Sequence, residues 1–204
     1  MFRGPKEKKE RALGVHLGLK GDRALSPKSA LVRKPYRPGV HGPKSRPRAL
    51  SEFGLEIREK NKFKIMYGVN DGNLKHLFKM AEAVKGASGM KLMEFLERRI
   101  DNVVFRLGFA PSRAAARQLV VHGHIALNGK KVCSPGLIVK VGDVVGINGD
   151  LSGDLLKQKE LLEKYDAPAW LAIRPGKMEG EVLSLPADIE VPFEINLLVE
   201  SFSK

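Results

Sequence analysis

The sequence predicts an α+β protein: a helical first domain with a basic, irregular N-terminal extension, joined to a small domain of helices and a short twisted sheet. Three observations carry that prediction. Residues 1–50 contain six prolines, six glycines and three serines, which break any regular element. From Ser51 to Arg99 apolar residues recur at helical spacing. Between Arg99 and Val145 a capped helix gives way to short apolar runs divided by Asn128-Gly129 and Gly142-Asp143, the punctuation of hairpins.

The chain has 204 residues, 43% of them hydrophobic, enough for one or two domains with real cores. Its net charge of +13 is graded along the sequence. Residues 1–50 hold 14 Lys+Arg against 3 Asp+Glu, residues 51–150 hold 16 against 10, and residues 151–204 reverse the balance with 6 against 10. Concentrated positive charge repels itself in a compact protein unless an anionic polymer neutralises it, and nucleic acid is the commonest such polymer. The single cysteine, Cys133, forms no internal disulfide and reads as a packed thiol in a reducing compartment. No apolar run approaches a membrane span, and no apolar segment follows the charged start Met1-Phe2-Arg3-Gly4-Pro5-Lys6 as in a secretory leader. A cytoplasmic protein with no membrane partner is expected.

In the extension, Lys28, Arg33, Lys34, Arg37, Lys44, Arg46 and Arg48 are threaded among Pro35, Pro38, Gly39, Gly42 and Pro43, with Tyr36 and His41 as flat rings between them. Flat rings among cations can stack on bases as well as neutralise phosphates, whereas a merely solubilising tail needs no rings. The segment buries little apolar surface, so contact with a charged, irregular surface is expected to shape it. A first helix follows from Ser51, with Phe53, Leu55, Ile57, Ile65 and Met66 expected to face a core. Arg58, Lys60, Lys62 and Lys64 should then face solvent or RNA. Leu74, Leu77, Phe78 and Ala81 predict a second helix over about 73–84, and Leu92, Met93, Phe95 and Leu96 a third over about 90–99. Gly86-Ala87-Ser88-Gly89-Met90-Lys91 lacks the spacing of a phosphate-binding loop and reads as a link.

The stretch from Arg99 to Val145 carries the most chemistry. Ser112 is an N-cap, Gly123 a left-handed stop, and Ala115, Ala116, Leu119 and Val120 form an apolar stripe between them. Arg113 and Arg117, four residues apart, share a face. A solvated helix can carry such a pair, but here Gln118, His122, His124, Asn128, Lys130 and Lys131 lie on the same short unit. Arginine forks bind phosphate bidentately and stack on unpaired bases, while Asn and Gln read base or ribose edges, so RNA of irregular shape fits best. His122, His124 and Cys133 raise a metal site, but one cysteine and five scattered histidines lack the ligand spacing of structural zinc. Neither metal nor cofactor is expected, and no nucleophile, base and acid set suggests an enzyme. Farther on, Leu137–Val141, Val144–Ile147 and Trp170–Ile173 read as strands, Leu155–Tyr165 as a helix, and Ile195–Ser203 as a terminal segment docked on a core.

Arg99, Asp101, Leu107-Gly108, Ser112-Arg113, Ala116-Arg117-Gln118-Leu119, Gly123 and Asn128-Gly129 together resemble the S-four RNA-binding domain. That module also occurs in RNA-modifying enzymes and synthetases, so the flanks matter. Tyr36-Arg37-Pro38-Gly39-Val40-His41-Gly42, Leu50-Ser51-Glu52-Phe53-Gly54-Leu55, Met66-Tyr67-Gly68-Val69, Asp101–Gly108 and Lys177-Met178-Glu179-Gly180 resemble the S-four family of bacterial small-subunit ribosomal proteins over almost the whole chain. The resemblance implies a structural constituent of the small subunit that binds its ribosomal RNA early, nucleates the subunit body, touches the neighbouring protein S-five and contributes to translational accuracy. It implies no homo-oligomer in function. Some members bind zinc through four N-terminal cysteines; the matching positions here are Glu7, Glu10, Ala24 and Ser29. The expected division is a basic extension over 1–45, a helical domain over 46–93 completed by 178–204, and an S-four domain with its flanking segment over 94–177. Two rivals remain at this point: an RNA-modifying enzyme with an S-four appendage, and a helix-turn-helix DNA binder suggested by the corner from Gly108 to Ser112.

Overall fold

A computed structural model describes residues 4–44, 49–149, 161–162, 165–187, 189 and 191–203. The chain divides into two compact units, Met1–Leu92 with Glu190–Lys204, and Met93–Ile189. This moves one expected boundary. The segment from 178 does not return to the helical unit, because Glu179–Val182 is a strand in the sheet of the second unit; the return begins at 190.

In the first unit the extension is more regular than its composition suggests. It contains helices α1 (Lys6–Leu13), α2 (Asp22–Leu25) and α3 (Ala30–Arg33). Leu13, Leu17 and Ala24 are buried, but polar groups tie the segment together. Glu10 is 2% exposed, and its carboxylate accepts hydrogen bonds from the amides of Leu17 and Leu19 at 3.1 and 3.2 Å. Arg11 donates from Nε to the carbonyls of Lys34 and Tyr36 at 3.0 and 3.2 Å, with its guanidinium carbon 4.9 Å from the Tyr36 ring centroid. Glu10→Ala removes the acceptor from both amides, so a loss of about 2 kcal/mol is expected in urea unfolding of the full chain, with Glu10→Gln recovering part of it.

Helix α4 (Glu52–Tyr67) starts at the Ser51 hydroxyl, which accepts from the Gly54 amide, and stops at Gly68 in the left-handed region. Its orientation corrects the sequence expectation. Glu56, Glu59, Lys62, Phe63, Met66 and Tyr67 are buried, whereas Phe53, Leu55 and Ile57 are 66%, 39% and 41% exposed. Two of these charges tolerate burial because Lys62 donates to Glu59 one turn away, so each meets its opposite. Phe63 packs on Phe193 with ring centroids 4.2 Å apart.

Asn70 caps α5 (Asp71–Glu82), which buries Leu74, Leu77, Phe78 and Ala81 as their spacing requires. The terminal helix α9 (Ile195–Ser203) lies against α4, with Leu198 fully buried and Phe202 stacked on Phe78 at 4.8 Å.

Helix α6 (Ser88–Glu97) leads into the second unit, where α7 (Ile100–Arg106) and α8 (Arg113–Val121) pack against each other. The antiparallel sheet has strands β1 (Ile125–Leu127), β2 (Lys130–Val132), β3 (Val144–Ile147), β4 (Leu171–Arg174) and β5 (Glu179–Val182), in the order β2-β1-β3-β5-β4. The hairpin register pairs Ile125 with Val132 and Leu127 with Lys130. Ile100, Val103 and Val104 from α7, Leu107 at its C-cap, Ala116 and Val120 from α8, and Ile125, Val145 and Val182 from the sheet form one core. Gly180 lets β5 approach closely, since a Cβ there would run into the Leu107 side chain.

The expected strand over 137–141 does not form. Leu137 instead accepts from the Ile100 amide and Val139 donates to the Arg98 carbonyl, which commits that backbone to the start of α7 and leaves an isolated bridge between Ile138 and Arg99. Cys133 is exposed rather than packed, because it lies just beyond β2, the sheet's edge strand. Most of the helix expected over Leu155–Tyr165 lies outside the described residues.

Candidate nucleic-acid interface

Helix α8 begins where Ser112 accepts a hydrogen bond from the Ala115 amide. It buries Ala116 and Val120 and turns Arg113, Arg117 and Gln118 outward to different degrees. The sequence pattern places the two arginines on one face; the structure adds a layer that orients them. Arg113 donates from Nε to Asn102 Oδ1 at 2.7 Å, and its guanidinium carbon lies 4.6 Å from the Phe105 ring centroid. Arg117 lies 3.4 Å from Asp101 Oδ2.

Those partners are themselves held. Asp101 accepts two hydrogen bonds from Arg99, at 3.1 and 2.8 Å. Asn102 donates to Glu97 at 2.7 Å, and the Glu97 carboxylate also accepts from both Nε and Nη2 of Arg106 at 2.9 Å. Charged side chains on an apolar helix survive burial only when paired in this way, and that rule is the signal by which Glu97, Asp101 and Asn102 could have been found in the sequence. Tyr165 donates to the Arg106 carbonyl at 3.2 Å. Burial pushes its phenol above the ordinary value, against the lowering pull of Arg106 and Arg113, so the hydroxyl keeps the proton it donates.

Beyond α8, the exposed His122 and His124 rings stand 6.2 Å apart, and Lys130 and Lys131 project from the hairpin. Lys131 reaches back over Gly123, whose φ of +76° closes the helix. Along α8 and the hairpin the second unit therefore exposes Gln118, His122, His124, Lys130 and Lys131, while Asn102 and Asp101 of α7 brace Arg113 and Arg117. Asn128 has a different role from the one its residue type suggested. Its φ is 50°, its Oδ1 accepts from the Val144 amide at 2.9 Å and its Nδ2 donates to Asp143 at 2.8 Å, so the side chain locks the hairpin turn to the start of β3.

In the first unit, Arg33, Lys34, Tyr36, Arg37, His41 and Lys44 are exposed, while Arg46 and Arg48 lie outside the described residues. Arg11, which the sequence pattern did not single out, holds the backbone of 34–37. Of the candidates on α4, Lys62 is corrected by its burial, and Arg58 and Lys64 have partners within the protein. Lys62 is buried against Glu59, Arg58 donates to the Leu13 carbonyl, and Lys64 pairs with Asp71. Each is engaged in holding the unit together, Lys62 with almost no exposed surface.

Three of the four positions matching zinc-binding cysteines do not suit a metal. Glu7 pairs with Lys20 and Arg23 at 3.3 Å, Glu10 is committed to backbone amides, and Ala24 offers no donor atom. Among the described residues no group of three or more His, Cys, Asp or Glu side chains could hold a metal ion. Nor, among them, is any helix long and apolar enough to cross a membrane.

Comparison with known proteins gives two adjoining family matches. Residues 1–97 match the ribosomal protein S4/S9 N-terminal domain, and residues 98–145 match the S4 domain. Curated relatives are similar over the full length. One, the small ribosomal subunit protein uS4 of Thermoanaerobacter sp. (strain X514), is 42% identical over 100% of this chain and 98% of its own. Proteins of the same name from Caldicellulosiruptor bescii and Acetivibrio thermocellus are each 44% identical, over 98% and 94% of this chain and 98% and 93% of theirs.

Proposed function

The chain belongs to the uS4 family of small-ribosomal-subunit proteins, and on that premise we propose that it binds small-subunit ribosomal RNA directly and early, nucleating assembly of the subunit body. As a ribosomal component it is a structural, non-enzymatic protein of the bacterial cytoplasm. In the finer reading it also touches the neighbouring protein S-five, contributes to translational accuracy and acts as a single copy.

The observation that carries RNA contact is the exposure of Gln118, His122, His124, Lys130 and Lys131 along α8 and its hairpin, together with the bracing of Arg113 and Arg117 on the same helix, all within the stretch matched by the S4 domain. Cations there suit phosphates, and the flat or amide side chains suit unpaired bases. A second basic surface comes from Arg33, Lys34, Tyr36, Arg37, His41 and Lys44 of the first unit, with Arg46 and Arg48 following them in sequence. Binding of this kind is dominated by phosphates and falls steeply with salt.

Competition supplies the test. The full chain, bound to a transcript of the small-subunit ribosomal RNA at fixed salt, is expected to resist a large excess of duplex DNA. Equal displacement by duplex DNA and by unlabelled transcript would overturn the reading. In vivo, the chain should remain with small subunits through a high-salt sucrose gradient, and its release to the top fractions would count against an early, primary contact.

A further inference from the structure

Helix α4 directs an apolar face away from its own core. Gly54, Ile57, Arg58 and Asn61 recur at helical spacing along that face, and with Leu50 just before the helix they line a groove of about 400 Å³ whose other wall is the end of α1 and the Arg37-Pro38 segment. Leu50 and Ile57 remain 39% and 41% exposed, and Phe53 beside them 66%, an uneconomical arrangement for a helix with buried Glu56 and Glu59 on its other side. Gly54 keeps the floor open. A Cβ added there would meet Ser51 Oγ at 3.3 Å and the Leu50 side chain from 3.5 Å, so an alanine needs only a shift of a few tenths of an ångström in the cap hydroxyl, and a longer side chain projects into the groove.

We propose that this groove receives one unstacked base of the bound ribosomal RNA. The inference rests on the RNA-binding reading and adds a specific recognition site to it. Among the described residues the lining carries two guanidiniums, Arg37 and Arg58, one amide, Asn61, and no acidic residue. Apolar walls suit the two faces of a base, the amide suits its edge, and the exposed Arg37 suits the phosphate that travels with it. The adjoining exposed Arg33, Lys34 and Lys44 extend the same positive field. An apolar protein helix would satisfy the walls but leave those cations without counter-charge, whereas a nucleotide brings its own. The rim is held in shape: Arg11 fixes the backbone at 36–37, Arg58 is tied to the Leu13 carbonyl, and Gly42 admits the Arg37 carbonyl so closely that a Cβ would collide with it.

Gly54→Leu tests this, because it plugs the groove, removes no charge and favours the helix. With a full small-subunit ribosomal RNA transcript, affinity is expected to fall about tenfold while the slope of log affinity against log salt stays unchanged, since stacking is lost and phosphate contacts are kept. At saturating protein, one base protected from dimethyl sulfate or carbodiimide by the unaltered chain should become reactive, with the hydroxyl-radical footprint of the backbone retained. Gly54→Ala should keep the protection, and Ile57→Asn, which removes one wall, should lose it. Unaltered affinity and unaltered base protection in Gly54→Leu would overturn the proposal and reassign the groove to a protein neighbour. Failure of the unaltered chain to prefer the transcript over duplex DNA is a separate result, and it would remove the RNA reading beneath it.

Discussion

Replacing Glu97 with alanine is expected to destabilise the second unit by about 3–5 kcal/mol, the cost of breaking a buried charge pair by deleting one partner. Glu97 is 1% exposed and gathers Arg106 through two hydrogen bonds and Asn102 through a third. Its loss takes the Glu97 carboxylate from the Arg106 guanidinium, 27% exposed, and removes one of the two Glu97 acceptors of Asn102, the side chain that fixes Arg113, leaving its 3.0 Å bond to the Glu97 carbonyl. Equilibrium urea unfolding of the full chain measures the effect. Glu97→Gln should recover part of the stability by keeping an acceptor, while a loss below 1 kcal/mol in Glu97→Ala would show that the network is not coupled to the fold.

The second large effect separates binding from stability. In Arg113→Ala with Arg117→Ala, RNA affinity is expected to fall between about tenfold and a hundredfold at fixed salt, and the salt slope by nearly two, one increment for each lost phosphate contact. Stability should change by no more than about 2 kcal/mol, because Asp101 keeps both hydrogen bonds from Arg99 and Asn102 keeps its bond to Glu97. The double lysine variant should restore the salt slope more fully than the affinity, since lysine supplies charge without the planar fork. Unchanged affinity of the double alanine variant in a filter-binding titration would remove both arginines from the interface.

The parts of this molecule legible in its sequence are those written in local chemistry. Ser112 and Gly123 bracket α8, Asn128-Gly129 turns the hairpin, and the spacing of Leu74, Leu77, Phe78 and Ala81 sets the buried face of α5, because caps, turns and helical periods depend only on near neighbours. Helix α4 departs from its sequence pattern for the opposite reason. Its buried face carries Glu56, Glu59 and Lys62, whose burial depends on pairing and on the terminal helix returning from more than a hundred residues away. The stretch 137–141 has the composition of a strand, yet its amides and carbonyls are claimed by residues 98–100.

The candidate interface divides along the same line. Exposed His122, His124, Lys130 and Lys131 follow from local pattern, while the bracing of Arg113 and Arg117 by Asn102 and Asp101, and the diversion of Asn128 to the hairpin turn, are tertiary facts. A cation's availability to RNA is set by its protein partners, and sequence spacing does not record them.

The most direct measurement is ultraviolet crosslinking of the full chain to intact small-subunit ribosomal RNA, with the attached peptides identified by mass spectrometry. Crosslinks are expected on peptides spanning residues 113–131 and 33–44. Crosslinks confined to the basic exposed side of α5, at Lys75 and Lys79, would contradict the assignment of the RNA-binding surface.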